Sequence, residues 1–346
     1  MTAENAVTDV PGLDLSNLDS WLEQNLPNWT AGQLHARIIT GGRSNLTYRV
    51  SDGRYDLVLR RPPMGHVLAT AHDMTREYRV ISALAPTAVP VPAAHALCND
   101  PQVVGAPFYL MDYIAGTPYR RADELRPLGP ARTRTISAGL IDTLAALHTV
   151  YPDQVGLGDF GRRDNFAQRQ VLRGKKRLDA SHCRELPAAT MLFDLLAAHQ
   201  PPQPAARVVH GDYRLDNLLV DAEQRVAAVL DWEMATLGDP MTDIGMLIVY
   251  QRMAELRVQG ATDVAAAPGF LTEAQLLDRY AHHTKRDLTH LGFYIGLASF
   301  ELAAILEGIH YRHLHGQTVG AGFDTVGDAV EPLLSAGLAV VKEKTP

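Results

Sequence analysis

Cysteine is nearly absent from this chain. Its 346 residues contain two, Cys98 and Cys183, and no C-x-x-C pair. That excludes a disulfide framework and a thiolate zinc site, and it fits a reducing compartment. Positive charge is also short. Lys and Arg total 32 against 39 Asp and Glu, a formal net charge of −7, which argues against a nucleic-acid-binding surface. The first twelve residues, MTAENAVTDVPG, lack the apolar core of a secretion signal and read as a disordered lead-in. The most apolar long segment, Phe293 to Leu306, is broken by Glu301. It falls short of the ~18 apolar residues that a membrane span needs. No internal repeat or low-complexity block is evident, and no G-x-S-x-G elbow points to a serine hydrolase. The expectation is a cytoplasmic protein with neither nucleic acid nor membrane as partner, its oligomeric state open.

What is present is an ordinary globular composition, 46% hydrophobic and 21% charged. At ~150 residues per domain, the length suits two lobes. The first third is strand-rich. Ile38 and Ile39 lead into Gly41-Gly42-Arg43-Ser44-Asn45, and Leu46, Tyr48 and Val50 then alternate with polar residues as in a half-buried strand. Leu57 to Arg60 forms the next strand, closed by Pro62-Pro63. A glycine pair between strands lets backbone N–H groups approach phosphate oxygens, although such a pair is more often only a turn. Arg60 or Arg61, beside that loop, is a candidate phosphate clamp, and the pattern leaves the choice open. A helix from about Thr70 to Leu84 carries Glu77, which can reach back to Arg60. Ala94 to Cys98 and Phe108 to Ile114 read as a hairpin, its second strand running into a linker at Asp112, Tyr113 and Ile114.

The remainder reads as mainly helical. A long helix spans about Pro130 to Thr149, with His148 as a buried or capping histidine. Residues 150 to 205 suggest a helical insertion, lid-like, whose Arg162 to Arg177 stretch is the most basic part of an acidic chain. Later helices are expected at about 239–252, 272–285, 288–313 and 323–342. The first of these carries Ile244, Met246, Leu247, Ile248 and Tyr250 as apolar positions. The fold class is therefore α+β: an N-lobe of antiparallel sheet plus helix over residues 13–114, and a larger helical C-lobe over 115–346.

The densest chemistry lies between residues 207 and 243. Short apolar runs, Val208-Val209, Leu218 to Val220 and Val226 to Leu230, alternate with polar groups at their ends. Buried strands make a rigid platform for such groups. The spacing Asp212-x4-Asn217, followed by Asp231 after one hairpin, suits phosphoryl transfer. One carboxylate orients the attacking hydroxyl, while an amide and a second carboxylate hold a metal.

His210-Gly211-Asp212-Tyr213-Arg214-Leu215-Asp216-Asn217, with Leu230-Asp231-Trp232-Glu233, resembles the catalytic and metal-binding segments of the aminoglycoside phosphotransferase and choline kinase group. Gly41-Gly42-x-Ser44-Asn45, Arg76-Glu77-Tyr78 and Gly238-Asp239-Pro240-x-x-Asp243 resemble the branch associated with acyl-CoA dehydrogenase-like domains. The resemblance covers residues ~13 to ~340 and implies a bilobal protein-kinase-like fold that uses ATP and Mg2+. By resemblance, Asp212 is the catalytic base, and Asn217 and Asp231 hold magnesium. Gly41, Gly42, Ser44, Asn45, Arg60 and Glu77 serve the nucleotide phosphates, and Asp112 to Ile114 offer backbone to the adenine. His210, Asp216, Asp239 and Asp243 brace the loop. The clamp is normally lysine, so an arginine puts its geometry in question. A nucleotide-binding regulatory module that has lost catalysis is the alternative. The basic segment favours an anionic or CoA-linked hydroxy compound as acceptor over an aminoglycoside. A protein kinase is disfavoured by His-Gly-Asp and Asp-Trp-Glu where His-Arg-Asp and Asp-Phe-Gly would stand.

Overall fold

The structure is a computed structural model, and it describes residues 10–26, 33–39, 45–64, 73–181, 183–256, 262–318 and 322–344. The chain divides into two compact units. The first holds residues up to Ala115 together with Ala227–Glu233, and the second holds Gly116–Val226 and Met234 onward.

In the first unit, α1 (Leu15–Asn25) opens at Asp14, whose carboxylate accepts from the Asn17 amide at 3.0 Å. Ser16 lies inside the helix, because the acceptor at Asp14 starts it earlier. Strands β1 (His35–Ile38), β2 (Leu46–Ser51) and β3 (Asp56–Arg61) are followed by α2 (Met74–Leu84). Next come β4 (Ala94–Cys98), the one-turn α3 (Pro101–Val104) and β5 (Phe108–Asp112). The strands form an antiparallel sheet in the order β1-β2-β3-β5-β4. Tyr48 faces Leu59 and Val50 faces Leu57 across β2 and β3. These four side chains pack with Leu18, Leu22, Phe108 and Leu110 in one core. Val10 belongs to that core, and the Pro11 carbonyl accepts from the Tyr48 hydroxyl at 2.8 Å. Residues 10–12 are thus fixed by the sheet, contrary to the disorder expected of the whole N-terminal stretch.

The second unit begins with the short α4 (Ala122–Leu125) and continues through α5 (Pro130–Thr149), α6 (Phe166–Asp179) and α7 (Pro187–Ala198). Strands β6 (Arg207–Val209), β7 (Leu218–Val220), β8 (Val226–Val229) and β9 (Thr236–Gly238) follow, with β6 paired to β9. Helices α8 (Met241–Leu256), α9 (Glu273–Thr284), α10 (Leu291–Leu314) and α11 (Val330–Lys344) complete it. α10 is the axis, contacted by α6, α7, α8 and α11. Its 24 residues are long and apolar enough to cross a membrane by composition, but 78% of its apolar window is buried inside the protein. Gly245 on α8 permits the close approach to α10: a Cβ there would lie 2.5 Å from the Tyr294 carbonyl oxygen.

The basic segment 162–177 is not a lid. Phe166, Val171 and Leu178 bury one side of α6, and α6 packs on α10. Three of its cations have carboxylate partners: Arg163 pairs with Asp153 at 2.6 Å, Lys175 with Asp179 at 2.6 Å and Arg173 with Glu301 at 3.8 Å. Residues 227–233, numbered among the helical part of the chain, fold with the first unit. The Val229 amide donates to the Pro90 carbonyl at 2.8 Å, and the Trp232 indole N–H donates to the Val229 carbonyl at 3.0 Å.

Candidate active site

In the first unit, three segments distant in sequence bring four charged groups together. β3 carries Arg60, α2 carries Glu77, and the returning segment carries Asp231 and Glu233. Arg60 Nε lies 2.9 Å from Glu77 Oε2, and its Nη2 bonds Asp231 Oδ1. The Tyr109 hydroxyl donates to Glu77 Oε2 at 3.0 Å. Asn45 donates through Nδ2 to Glu77 Oε1 at 2.9 Å and to Glu233 Oε2 at 3.2 Å. Burial pushes the Glu77 carboxyl up to about 7, against the pull of Arg60. Burial also works against the Arg60 charge, but Glu77, Tyr109, Asp231 and Glu233 together hold the guanidinium above its ordinary range. Donors on both oxygens keep Glu77 an acceptor in this pair. Asp231 itself sits at φ 65°, a left-handed conformation that aspartate tolerates and that turns the chain sharply after β8.

Strand alternation turns Arg60 and Arg61 to opposite faces of the sheet. Arg60 faces α2. Arg61 points to the other side of the sheet, where it donates to the carbonyls of Gly12 and, at 2.6 Å, Val104. At the linker, the Asp112 amide donates to the Ala93 carbonyl (2.9 Å) and the Tyr113 amide to the Asp56 carbonyl (3.2 Å). Arg49 lies over the Tyr113 ring at 4.1 Å. Gly41, Gly42 and Ser44 lie outside the described residues.

In the second unit, β6 delivers the loop from His210 to Asn217. Gly211 has φ 84°, and a Cβ on it would lie 2.8 Å from the Met234 carbonyl oxygen. Asp243, in the first turn of α8, accepts from the His210 amide (2.7 Å) and the Gly211 amide (2.8 Å). It also meets His148 Nε2 at 3.1 Å, and His148 Nδ1 lies 2.8 Å from the Tyr280 hydroxyl. The Asp212 amide donates to His210 Nδ1 at 3.3 Å. Asp243 and His210 thus bond the loop backbone at residues 210 to 212. Asp216 and Asp239 have side-chain partners as well. Asp216 pairs with Arg120 and Arg214, each at 3.2 Å. Asp239 accepts from the Met241 amide at 3.0 Å at the start of α8 and from the Tyr294 hydroxyl.

Asp212 is held on both oxygens. Asn217 Nδ2 donates to Oδ2 at 3.1 Å and to the Asp212 carbonyl at 2.9 Å. The Tyr250 hydroxyl donates to Oδ1 at 2.9 Å, and Arg214 Nε lies 3.3 Å from the same atom. Tyr250, Arg214, Arg120 and Glu233 were not singled out by sequence. Tyr250 reads as one more apolar position of its helix, and the other three as surface charges within or beside a motif.

The buried His148 gives this loop a pH dependence. Burial lowers its pKa below the ordinary histidine value of 6.5. Burial raises Asp243, but its bonds with His148 and the His210 amide hold it below 3.8. Both folded-state pKa values lie under their unfolded values. The unfolded chain therefore takes up more protons as pH falls, and stability drops in acid. The loss starts near pH 6.5 with His148 and deepens below pH 4 with Asp243. Urea midpoints between pH 8 and pH 4 measure it, and His148→Gln flattens the upper part of the curve. A midpoint independent of pH between 7 and 5 in both proteins would contradict this assignment.

Among the described residues no three His, Cys, Asp or Glu side chains cluster as a self-sufficient metal cage. Taken singly, the Asp231 carboxylate and the Asn217 carbonyl are oxygen donors of the hard type magnesium takes. That ion commonly uses one or two carboxylates and completes its shell with phosphate oxygens and water. With its nitrogen turned to Asp212, Asn217 keeps its carbonyl oxygen as the atom for a metal.

A model of the phosphotransferase enzyme family matches residues 35–283. Among curated relatives, mouse acyl-CoA dehydrogenase family member 10 is 34% identical over 91% of this chain, and chicken family member 11 is 33% identical over 95%. The chain spans 30% and 44% of those two proteins. A solved putative aminoglycoside phosphotransferase from Ralstonia eutropha is 35% identical, with a TM-score of 0.85 over 95% of this chain and 98% of that one. Aminoglycoside phosphotransferase APH(4)-Ia, in ternary complex with AMP-PNP and hygromycin B, has a TM-score of 0.63 over 94% of this chain and 98% of its own. At 15% identity it shares the fold alone. The kinase-like arrangement of sheet, loop and helices is therefore shared along nearly the whole length, and the chain belongs to the phosphotransferase enzyme family.

Proposed function

We propose that this protein transfers the γ-phosphate of ATP, with magnesium, to a hydroxyl group of a small molecule. The observation that carries the reading is the Asp212–Asn217 pair, a carboxylate and an amide held 3.1 Å apart on one braced loop. In the step, the acceptor oxygen forms a bond to the γ-phosphorus and the bond to the β,γ-bridging oxygen breaks. ADP leaves, and the acceptor proton passes to Asp212. Arg60, held by Glu77, contacts the phosphates, and Ile114 offers backbone to the base. Asn217 and Asp231 would hold magnesium, which neutralises charge on the phosphates when bound. The protein's share of catalysis is positioning and fixed charge rather than a covalent intermediate.

The acceptor is proposed to be an anionic or CoA-linked hydroxy compound. The basic segment around α6 does not carry this preference, because α6 packs on α10 and its Arg173 and Lys175 are paired. What supports the preference is the likeness to the acyl-CoA dehydrogenase family members. The alternative acceptor is an aminoglycoside. A second reading, a regulatory nucleotide-binding module, draws on the bond that ties Arg60 to Asp231. The test is an ATP-consumption screen over hydroxyacyl-CoAs, sugars, amino alcohols and aminoglycosides, with phosphorylated products identified by mass spectrometry. A phosphorylated hydroxyacyl-CoA supports the proposal. Efficient kanamycin phosphorylation overturns the acceptor class, and magnesium-dependent ATP binding with no product anywhere favours the module. The setting is proposed to be the cytoplasm.

A further inference from the structure

We infer that Tyr250 is a positioning residue for Asp212, its hydroxyl anchoring one carboxylate oxygen so that the other is presented to the acceptor. The inference rests on the proposed role of Asp212 as base. Its geometry is independent of that role. Tyr250 and Asp243 lie seven residues apart on α8, two turns along one face of the helix. Asp243 grips the backbone of the loop at His210 and Gly211. Tyr250 grips the side chain that the loop presents, at 2.9 Å. One rigid helix therefore sets both the path of the loop and the rotamer of its carboxylate.

The two oxygens of Asp212 are not equivalent. Oδ1 receives the Tyr250 hydroxyl and lies 3.3 Å from Arg214 Nε, and the Arg214 guanidinium is 5.4 Å from the Tyr250 ring centroid. Oδ2 receives the Asn217 amide. Each carboxylate oxygen can accept about two hydrogen bonds. Oδ1 thus faces two groups fixed in the fold, a phenol that bonds it and a guanidinium beside it, and Oδ2 keeps capacity for a substrate hydroxyl. Burial, then the charge of Asp212, pushes the Tyr250 phenol well above its ordinary range, so it remains an O–H donor at neutral pH. A phenylalanine would fill the same space without the donor. Asp212 would then be fixed by the Asn217 amide and the neighbouring Arg214 alone, and would sample arrangements of which only some place Oδ2 for attack.

The test compares wild type, Tyr250→Phe, Asp212→Ala and the double variant in magnesium-dependent ATP hydrolysis, with water as the acceptor, together with AMP-PNP affinity and thermal melts. The expected result for Tyr250→Phe is a fall in kcat of about 10- to 100-fold, within the range lost when a catalytic group is misplaced. KM for ATP and AMP-PNP affinity stay within about twofold of wild type. The double variant is no slower than Asp212→Ala alone. A Tyr250→Phe rate within twofold of wild type overturns the inference. So does a double variant slower than Asp212→Ala by the full Tyr250→Phe factor, which would place Tyr250 outside the action of Asp212. If wild type hydrolyses ATP no faster than Asp212→Ala, the kinase reading fails by itself, and the melts decide on Tyr250. Non-additive Tm changes in the double variant uphold the contact as the group that fixes Asp212, and additive changes remove it.

Discussion

Asp212→Ala lowers phosphoryl transfer by about two to four orders of magnitude, the span a positioned general base contributes. The alanine removes the carboxylate on which the Asn217 amide, the Tyr250 hydroxyl and Arg214 converge. It leaves the backbone of the loop in place, because Asp243 holds His210 and Gly211 through their amides. Nucleotide affinity is therefore expected to stay within a few fold of wild type, since the groups assigned to the phosphates and the base lie in the first unit. Single-turnover transfer and calorimetric binding of AMP-PNP separate the two effects. Transfer within tenfold of wild type would remove Asp212 from the role of base. A parallel collapse of AMP-PNP binding would instead show that the loop had lost its shape.

Arg60→Met is expected to destabilise the first unit by about 3–5 kcal/mol, the cost of removing one partner from a buried ion pair. The arginine side chain is 12% exposed and Glu77 only 2%. Without the guanidinium, Glu77 keeps Tyr109 and Asn45 as donors but loses its counter-charge, with Asp231 and Glu233 close by. Arg60→Lys is the informative companion. A compact ammonium can replace the contact with Glu77 but cannot span Glu77 and Asp231 as the planar fork does. Its loss should be well under half that of methionine, and its AMP-PNP affinity closer to wild type. Guanidinium denaturation midpoints with and without AMP-PNP measure both. If Arg60→Met unfolds within 1 kcal/mol of wild type, burial of the pair is not the source of its stability.

The site was legible where its chemistry is local. Asp212, Asn217 and Asp231 stand out because short apolar runs bracket polar residues at fixed offsets, and α5 was readable from Pro130 at its first turn to Thr149. Legibility failed where a partner came from far along the chain. Strand periodicity says that Arg60 and Arg61 point to opposite faces but not which face α2 covers. A tyrosine on the apolar stripe of α8 has the same spacing whether it fills the core or donates to Asp212. The basic run on α6 looked like an anion site because its counter-charge, Glu301, lies on α10.

The sequence by itself determined the α+β class, the order of sheet and helices, and the identity of the loop that carries Asp212 and Asn217. Hydrophobic period and turn chemistry act over a few residues, so they can be read without knowing the fold. Only the tertiary structure decided that residues 227–233 return to the first unit, that Arg60 is the arginine facing Glu77, and that Tyr250 holds the candidate base. Those contacts join residues 17, 171 and 38 positions apart. Their energies depend on which buried surfaces meet, a property of packing that spacing along the chain does not encode.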